Sequence, residues 1–220
     1  MLATVVTKRA LIVHGGWDGH DPRGFAERDA TVLRDEGFEV EVADTLDALR
    51  DAAALSRLSV IVPIWTMGTI EPEQLQPLTE AVAGGVGLAG FHGGMGDAFR
   101  AAPEFQIMVG GQFVGHPDGI KDYEVAIVDR DSPITSGLAD FRVTSEQYYM
   151  HVDPSNHVLA TTTFHPETAP WLDGVIMPVV WTRRWGAGSV FYSSVGHSLS
   201  DLEVPEVPEI QRRGMLWAAR

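Results

Sequence analysis

The sequence predicts an α/β fold: an open, doubly wound sheet over the first two-thirds of the chain, followed by a β-rich C-terminal third. Three observations carry this expectation. Ala10–Val13, Val60–Ile64 and Val86–Phe91 are unbroken apolar runs of strand length, the pattern of strands buried on both faces of a parallel sheet. Helix-like segments alternate with those runs, so the connections read as βαβ crossovers. Beyond about residue 120 short strand-like runs follow one another without long helices between them.

Taken in chain order, each element has its own local signature. The first helix is capped by Asp21, has Pro22 in its first turn, carries Phe25, Ala26, Val32 and Leu33 on one face, and closes at Gly37. Phe38–Val42 alternates apolar and polar residues, so it reads as a strand with one wetter face. A second helix runs from Pro72 to about Ala83, with Leu75, Leu78 and Val82 aligned, and stops at Gly84-Gly85. In the last third, Tyr123–Val128, Phe141–Thr144 and His157–Thr163 are expected strands. Met177–Arg184 and Ser189–Val195 form a hairpin across Trp185-Gly186-Ala187-Gly188, and a final helix begins near Pro208 with Ile210, Gly214 and Trp217 on one side. No repeat, low-complexity tract or linker divides the chain, so residues 1–220 are read as a single domain.

Composition removes several function classes. The chain has no cysteine, which excludes a disulfide framework, a thiolate zinc site, an iron–sulfur cluster and a thiol nucleophile. Its 16 basic residues against 30 acidic ones give a net charge of −14, which repels nucleic acid. The apolar run within Met1–Ala10 is shorter than a signal peptide's core or a membrane span, so a cytoplasmic protein without a membrane partner is expected. Exposed strand edges around Tyr123–Thr144 favour a homodimer.

The eight histidines carry the chemical signal. In doubly wound sheets ligands bind beyond the carboxyl ends of the strands. His14 directly follows the first strand, and His20 lies in the loop after it; His92 follows Val86–Phe91, and His197 follows the last apolar strand. Three strand ends therefore offer imidazoles at one edge of the sheet. The sharpest local pattern is Gly90-Phe91-His92-Gly93-Gly94, a strand-to-helix elbow whose following helix is expected near Met95-Gly96-Asp97. Histidine at the elbow suits a metal ligand or a general base better than an acyl-transfer nucleophile. Gly85-Val86-Gly87-Leu88-Ala89-Gly90 matches the dinucleotide fingerprint in spelling only, because it runs into a strand rather than opening a helix; no nucleotide cofactor is expected.

Thr144–His151 gathers polar and aromatic groups. Glu146 can complete a mixed nitrogen and oxygen metal site, or act as acid or base. Trp17, Trp65, Tyr148, Tyr149, Trp181 and Trp185 offer flat faces suited to a small sugar, although Trp181, on a strand, also reads as core.

Together these segments resemble a known family. His14-Gly15-Gly16-Trp17, Gly90 to Phe99, Val109-Gly110-Gly111-Gln112-Phe113, Ser145-Glu146-Gln147-Tyr148-Tyr149, Met177 to Gly186 and Phe191 to His197 are similar to the ThuA-like proteins of trehalose utilisation, over Ala10 to Ala219. The resemblance implies a flavodoxin-like, class I glutamine amidotransferase-like α/β/α sandwich in three layers. It also implies a role in carbohydrate metabolism, with trehalose and keto-sugar derivatives of disaccharides as the substrate class. It further implies that His92 fills the place where amidotransferases hold a catalytic cysteine, so thiol-dependent glutaminase chemistry is unavailable. Phe164-His165-Pro166-Glu167 spells an amidotransferase motif but lies too early in the chain to end a late sheet strand, and is not read as a triad remnant.

The leading expectation is a sugar-processing protein. His20, His92, Glu146 and His197 hold a divalent metal (zinc, manganese or iron) or act as acid and base, with His151 or His14 moving a proton. His92 and Glu146, with His151, are the expected catalytic groups. His14, Trp17, Tyr148 and Trp181 are expected to bind the substrate. A metal-free alternative has His92 abstract a proton α to a ketone. A second alternative is a non-catalytic module that binds a sugar or a partner on the same fold.

Overall fold

The computed structural model describes residues 7–220, so the reading of Met1–Val6 lies outside the described residues. The first half builds β1 (Arg9–Gly16), α1 (Pro22–Asp35), β2 (Glu39–Ala43), α2 (Ala52–Leu55), β3 (Val60–Thr66), α3 (Pro72–Ala83) and β4 (Gly87–Phe91). There follow α4 (His92–Gly96), α5 (Pro103–Val109), β5 (Gly111–Gly115), β6 (Ile120–Ile127), β7 (Phe141–Glu146), β8 (Tyr149–Val152) and β9 (His157–Thr163). The chain ends with β10 (Ile176–Trp185), β11 (Gly188–Ser193) and α6 (Glu206–Ala218). No helix among the described residues is long and apolar enough to cross a membrane.

Pleating explains how one sheet carries two cores. On β1, Ala10 and Ile12 face one side with Val60, Val62 and Ile64 of β3, whereas Leu11 and Val13 face the other with Ile61. The first side is covered by α1 and α6 through Phe25, Leu33, Ile210 and Met215; the second is covered by α3 and α5 through Leu78, Val82, Phe105 and Met108. Each such side chain contributes about 1.5–3 kcal/mol on burial. The result is three layers, helix on sheet on helix. On α6, Ile210 and Gly214 are buried and Trp217 is half-buried against the same core.

Among the described residues the main sheet has nine strands, in the order β2-β1-β3-β4-β11-β10-β9-β6-β7. From β2 to β11 the neighbours run parallel; from β11 to β7 they run antiparallel. The join between β9 and β6 is narrow, with Ala126 and Ile127 as the paired residues of β6. The expected hairpin forms with Trp185 opposite Gly188, a two-residue turn in which Gly186 takes φ 58°. A separate ribbon of β5 and β8 and the short α5, none of which the sequence reading anticipated, pack over the second core.

Two expectations are corrected at this level. The helix after the elbow begins at His92 itself and is spent by Gly96, rather than starting near Met95. Trp181 is fully buried on β10, donating its indole N–H to the Val109 carbonyl at 3.0 Å, so it belongs to the core and offers no face to a ligand. A β-bulge between Pro178 and Val180 shifts the alternation of β10, so that Val179, Val180 and Trp181 are all buried.

Candidate functional site

Each ligand-bearing segment leaves its strand for a local reason. After β1, the Trp17 N–H donates to the Thr66 carbonyl at 3.1 Å, pinning the loop to the end of β3. A single 3-10 turn, Asp18–His20, then delivers His20, and Asp21 caps α1 by accepting from the Gly24 N–H at 3.1 Å. Loss of such a cap costs about 1 kcal/mol. His92 stands at the end of β4 with φ 47°, the left-handed conformation of a strained elbow. Close approach enforces the glycines around it. A Cβ at Gly93 would lie 2.7 Å from His20 Cε1, and one at Gly96 would collide with the Tyr192 hydroxyl oxygen.

The fourth group comes from the opposite edge of the sheet. Glu146 ends β7, four strands beyond β11, which in a flat sheet is about 19 Å away. The antiparallel half instead curls back over the strand ends. Asp201 ties the two together: it is buried, accepts from Ser145 Oγ at 2.6 Å and from the His197 N–H at 2.9 Å. Tyr123 adds a hydrogen bond from its hydroxyl to the Glu146 carbonyl at 3.3 Å.

The outcome is a compact cluster. One ligand atom from each of His20, His92, Glu146 and His197 lies within 4.8 Å of the others. Glu146 Oε2 is 3.2 Å from His92 Nε2, 3.3 Å from His197 Nδ1 and 3.9 Å from His20 Nε2. Ligands about 2.0–2.2 Å from a tetrahedral ion stand about 3.3–3.6 Å apart, so His92 and His197 stand from Glu146 at about the spacing of a coordination shell, with His20 slightly farther off. Hydrogen bonding points the same way. His92 Nδ1 donates to the Ser194 carbonyl at 2.9 Å, and a carbonyl can only accept, so a neutral ring offers a lone pair at Nε2, whereas the 3.2 Å hydrogen bond from Nε2 to Glu146 Oε2 needs a second ring proton. His20 Nδ1 is likewise engaged by Thr66 Oγ1 at 2.9 Å. His20 Nε2 and His197 Nδ1 are buried without a hydrogen-bond partner. Buried orphan nitrogens beside a carboxylate oxygen are unfavourable unless a cation or a proton sits among them.

Electrostatics follows from this crowding. Burial, reinforced by the neighbouring His92 and His197, pushes His20 down to about 3, so it is neutral at physiological pH. Burial alone would raise Glu146, yet the imidazoles of His197 and His92 outweigh it and hold the carboxyl well below its usual range. Beside that carboxylate, His197 is raised. Burial drives the Tyr148 phenol well above its ordinary value; its ring stacks on His92 with centroids 4.0 Å apart.

The remaining expected residues separate into two groups. Trp17 is exposed beside the cluster, its ring centroid 4.7 Å from that of His20, and Tyr148 lies directly under the elbow histidine. His14 is half-buried within β1 and is not one of the four clustered groups. His151 is exposed on β8; its neighbour Met150 is the one that turns inward, to Tyr192 Oη at 3.6 Å, so pleating sends His151 to the other face. It is not placed to move a proton at the cluster. The Phe164–Glu167 string contributes none of the four clustered groups, and its exposed His165 is paired to Asp173 at 2.7 Å.

Sequence reading missed Asp201, Thr66 and His116. His116 Nε2 stands 3.5 Å from Glu146 Oε1. Its proximity depends on Ile120 pairing with Glu146 across β6 and β7, a register with no local sequence signal.

An elbow-type α/β sandwich with a histidine at the elbow and a four-residue donor cluster around it defines the class of protein. The chain belongs to the ThuA family, described as trehalose utilisation, whose family model matches residues 9–218. Proteins of Bacteroides uniformis and Parabacteroides merdae, each described as ThuA-like, superimpose with TM-scores of 0.78 and 0.75 at 17% and 18% identity. The first match covers 99% of this chain and 93% of the other, and the second 96% and 90%. A glutamine amidotransferase of Thermotoga maritima shares the fold more distantly, with a TM-score of 0.52 at 12% identity over 85% of this chain and 74% of its own. No curated protein matches the chain in sequence.

Proposed function

We propose that this chain acts on a small sugar in carbohydrate utilisation, through a divalent metal held by His20, His92, Glu146 and His197. The observation that carries the reading is the pair of buried, unpartnered nitrogens, His20 Nε2 and His197 Nδ1, facing Glu146 Oε2. Three imidazoles and one carboxylate suit zinc, manganese or iron. A divalent ion bound there polarises a sugar carbonyl or hydroxyl oxygen. The chain's own residues supply the rest. The Ser194 carbonyl fixes the His92 tautomer, Thr66 orients His20, and Asp201 holds the His197 and Glu146 segments together. Beside His20, exposed Trp17 offers an aromatic ring of the kind that packs on the C–H face of a sugar.

The test combines metal analysis with turnover. Purified protein should retain close to one equivalent of zinc, manganese or iron, and His92→Ala should lose it while keeping its circular dichroism. Incubation with keto-disaccharides should consume them in a metal-dependent way. A folded wild-type chain that neither retains nor takes up any of these metals would sink the reading. A sugar that raises the melting temperature without being consumed would make the chain a binding module instead.

A further inference from the structure

Glu146 has two carboxylate oxygens, and the donor cluster faces only one of them. Oε1 is met instead by His116 Nε2 at 3.5 Å. His116 lies outside the sheet strands, opening the turn between β5 and β6 that the Gly119 N–H closes onto the His116 carbonyl at 3.0 Å. Its imidazole is 40% exposed, whereas His92 is 1% exposed, so it can leave Glu146 without unpacking the core.

Two contacts fix it in place. The first is a column of rings. His116 stacks on Phe113 with centroids 5.8 Å apart, Phe113 tilts against Tyr148 at 4.3 Å, and Tyr148 stacks on His92 at 4.0 Å. The histidines at the two ends of this column meet the two oxygens of the same carboxylate. The second is a latch. Asp118 takes φ 69° and accepts from Lys121 Nζ at 2.8 Å, from Thr168 Oγ1 at 2.7 Å, and from the N–H groups of Glu167 and Thr168 at 3.0 and 2.9 Å. Those donors, Lys121 foremost, hold its carboxyl well below the usual range. Three of them, the Thr168 hydroxyl and the N–H groups of Glu167 and Thr168, come from the loop carrying Phe164-His165-Pro166-Glu167, the string left without a catalytic role.

Resting on the metal reading above, we infer that His116 is a positioning residue, holding Oε1 so that Glu146 presents Oε2 alone to the ion, and that Asp118 latches it there through the 165–168 loop. Outer partners of a ligating carboxylate typically change metal affinity 10–100-fold. The latch also gives the Phe164–Glu167 segment a structural task that its spelling does not suggest.

Cobalt(II) loaded into the metal-stripped full chain reads both parts, affinity by chelator competition and coordination by visible absorption. His116→Phe keeps a stacking ring but cannot donate; His116→Gln keeps an N–H donor but loses the ring. His116→Phe should weaken cobalt binding about 10-fold and change the visible spectrum as the second Glu146 oxygen reaches the ion. His116→Gln should restore most of the affinity and the wild-type spectrum. Asp118→Asn should change affinity and spectrum in the same direction, more weakly. If wild type binds cobalt and His116→Phe matches it in affinity and spectrum, the inference falls and the metal reading stands. Equal losses in the Phe and Gln variants also overturn it, since the donor would then be irrelevant. A wild-type chain that takes up no cobalt overturns both.

Discussion

Glu146 and Asp29 are both buried carboxylates, and their surroundings drive them in opposite directions. Glu146 has four imidazole nitrogens within 3.9 Å, three at Oε2 and one at Oε1, and is held well below its usual range despite burial. Asp29, wholly buried on α1, has one cationic partner, Arg28 at 2.5 Å, and burial outweighs it, pushing the carboxyl up to about 6. Asp29 Oδ2 has no hydrogen-bond partner, as suits an oxygen that carries a proton over part of the pH range. Arg28 is itself divided between Asp29 and Gln211 Oε1, at 3.0 Å. Burial alone therefore does not set the charge of an acid. The partners decide it: His197 and His92 together outweigh burial at Glu146, whereas one guanidinium does not outweigh it at Asp29.

The largest effect should come from removing the charge at the donor-rich carboxylate. Glu146→Gln should lower metal affinity by more than the roughly 10–100-fold of a lost outer hydrogen bond, measured by chelator competition. Retention of wild-type affinity would place the ion elsewhere and erase the contrast with Asp29. The next effect is on stability. A folded pKa raised from 3.8 to about 6 means that Asp29 contributes stability below about pH 4, lost as pH rises through 6. A displacement of that size corresponds to roughly 3 kcal/mol. Urea unfolding should therefore show the stability of wild type relative to Asp29→Asn falling by about that amount between pH 4 and pH 7. A difference that stays flat would mean that Arg28 keeps Asp29 ionised throughout. Smallest is the effect of Asp201→Asn, which weakens the tie between Ser145 and His197 without removing a ligand. Metal affinity should drop about 10-fold with little change in melting temperature; an unchanged affinity would show that strand packing alone aligns the two segments.

The parallel half of this fold was the readable half. His20, His92 and His197 could be singled out because parallel strands end at one edge of a sheet, and an apolar run followed by a histidine is visible locally. The elbow glycines were visible too, although the helix begins three residues earlier than expected. Glu146 stood out in its polar segment, but nothing local says that β7 returns across the sheet to meet β11. His116 was invisible for the same reason; Asp201 lies only four residues beyond His197, but its bond to Ser145 is non-local. Trp181 and His151 show a subtler failure. Their identities suggested ligands, but pleat parity and a bulge send one into the core and the other to the far face of a ribbon.

What the sequence by itself determined is a layered α/β chain with an elbow that bears histidine, no thiol chemistry, and a resemblance to the ThuA family over nearly its whole length. Those properties reside in residue identity and short-range periodicity. Tertiary structure alone decided that the antiparallel extension curls, that its edge carboxylate arrives 3.2–3.3 Å from His92 and His197, and that a turn histidine covers its second oxygen. Curvature accumulates over many strands and a narrow two-residue join, so no local segment records it.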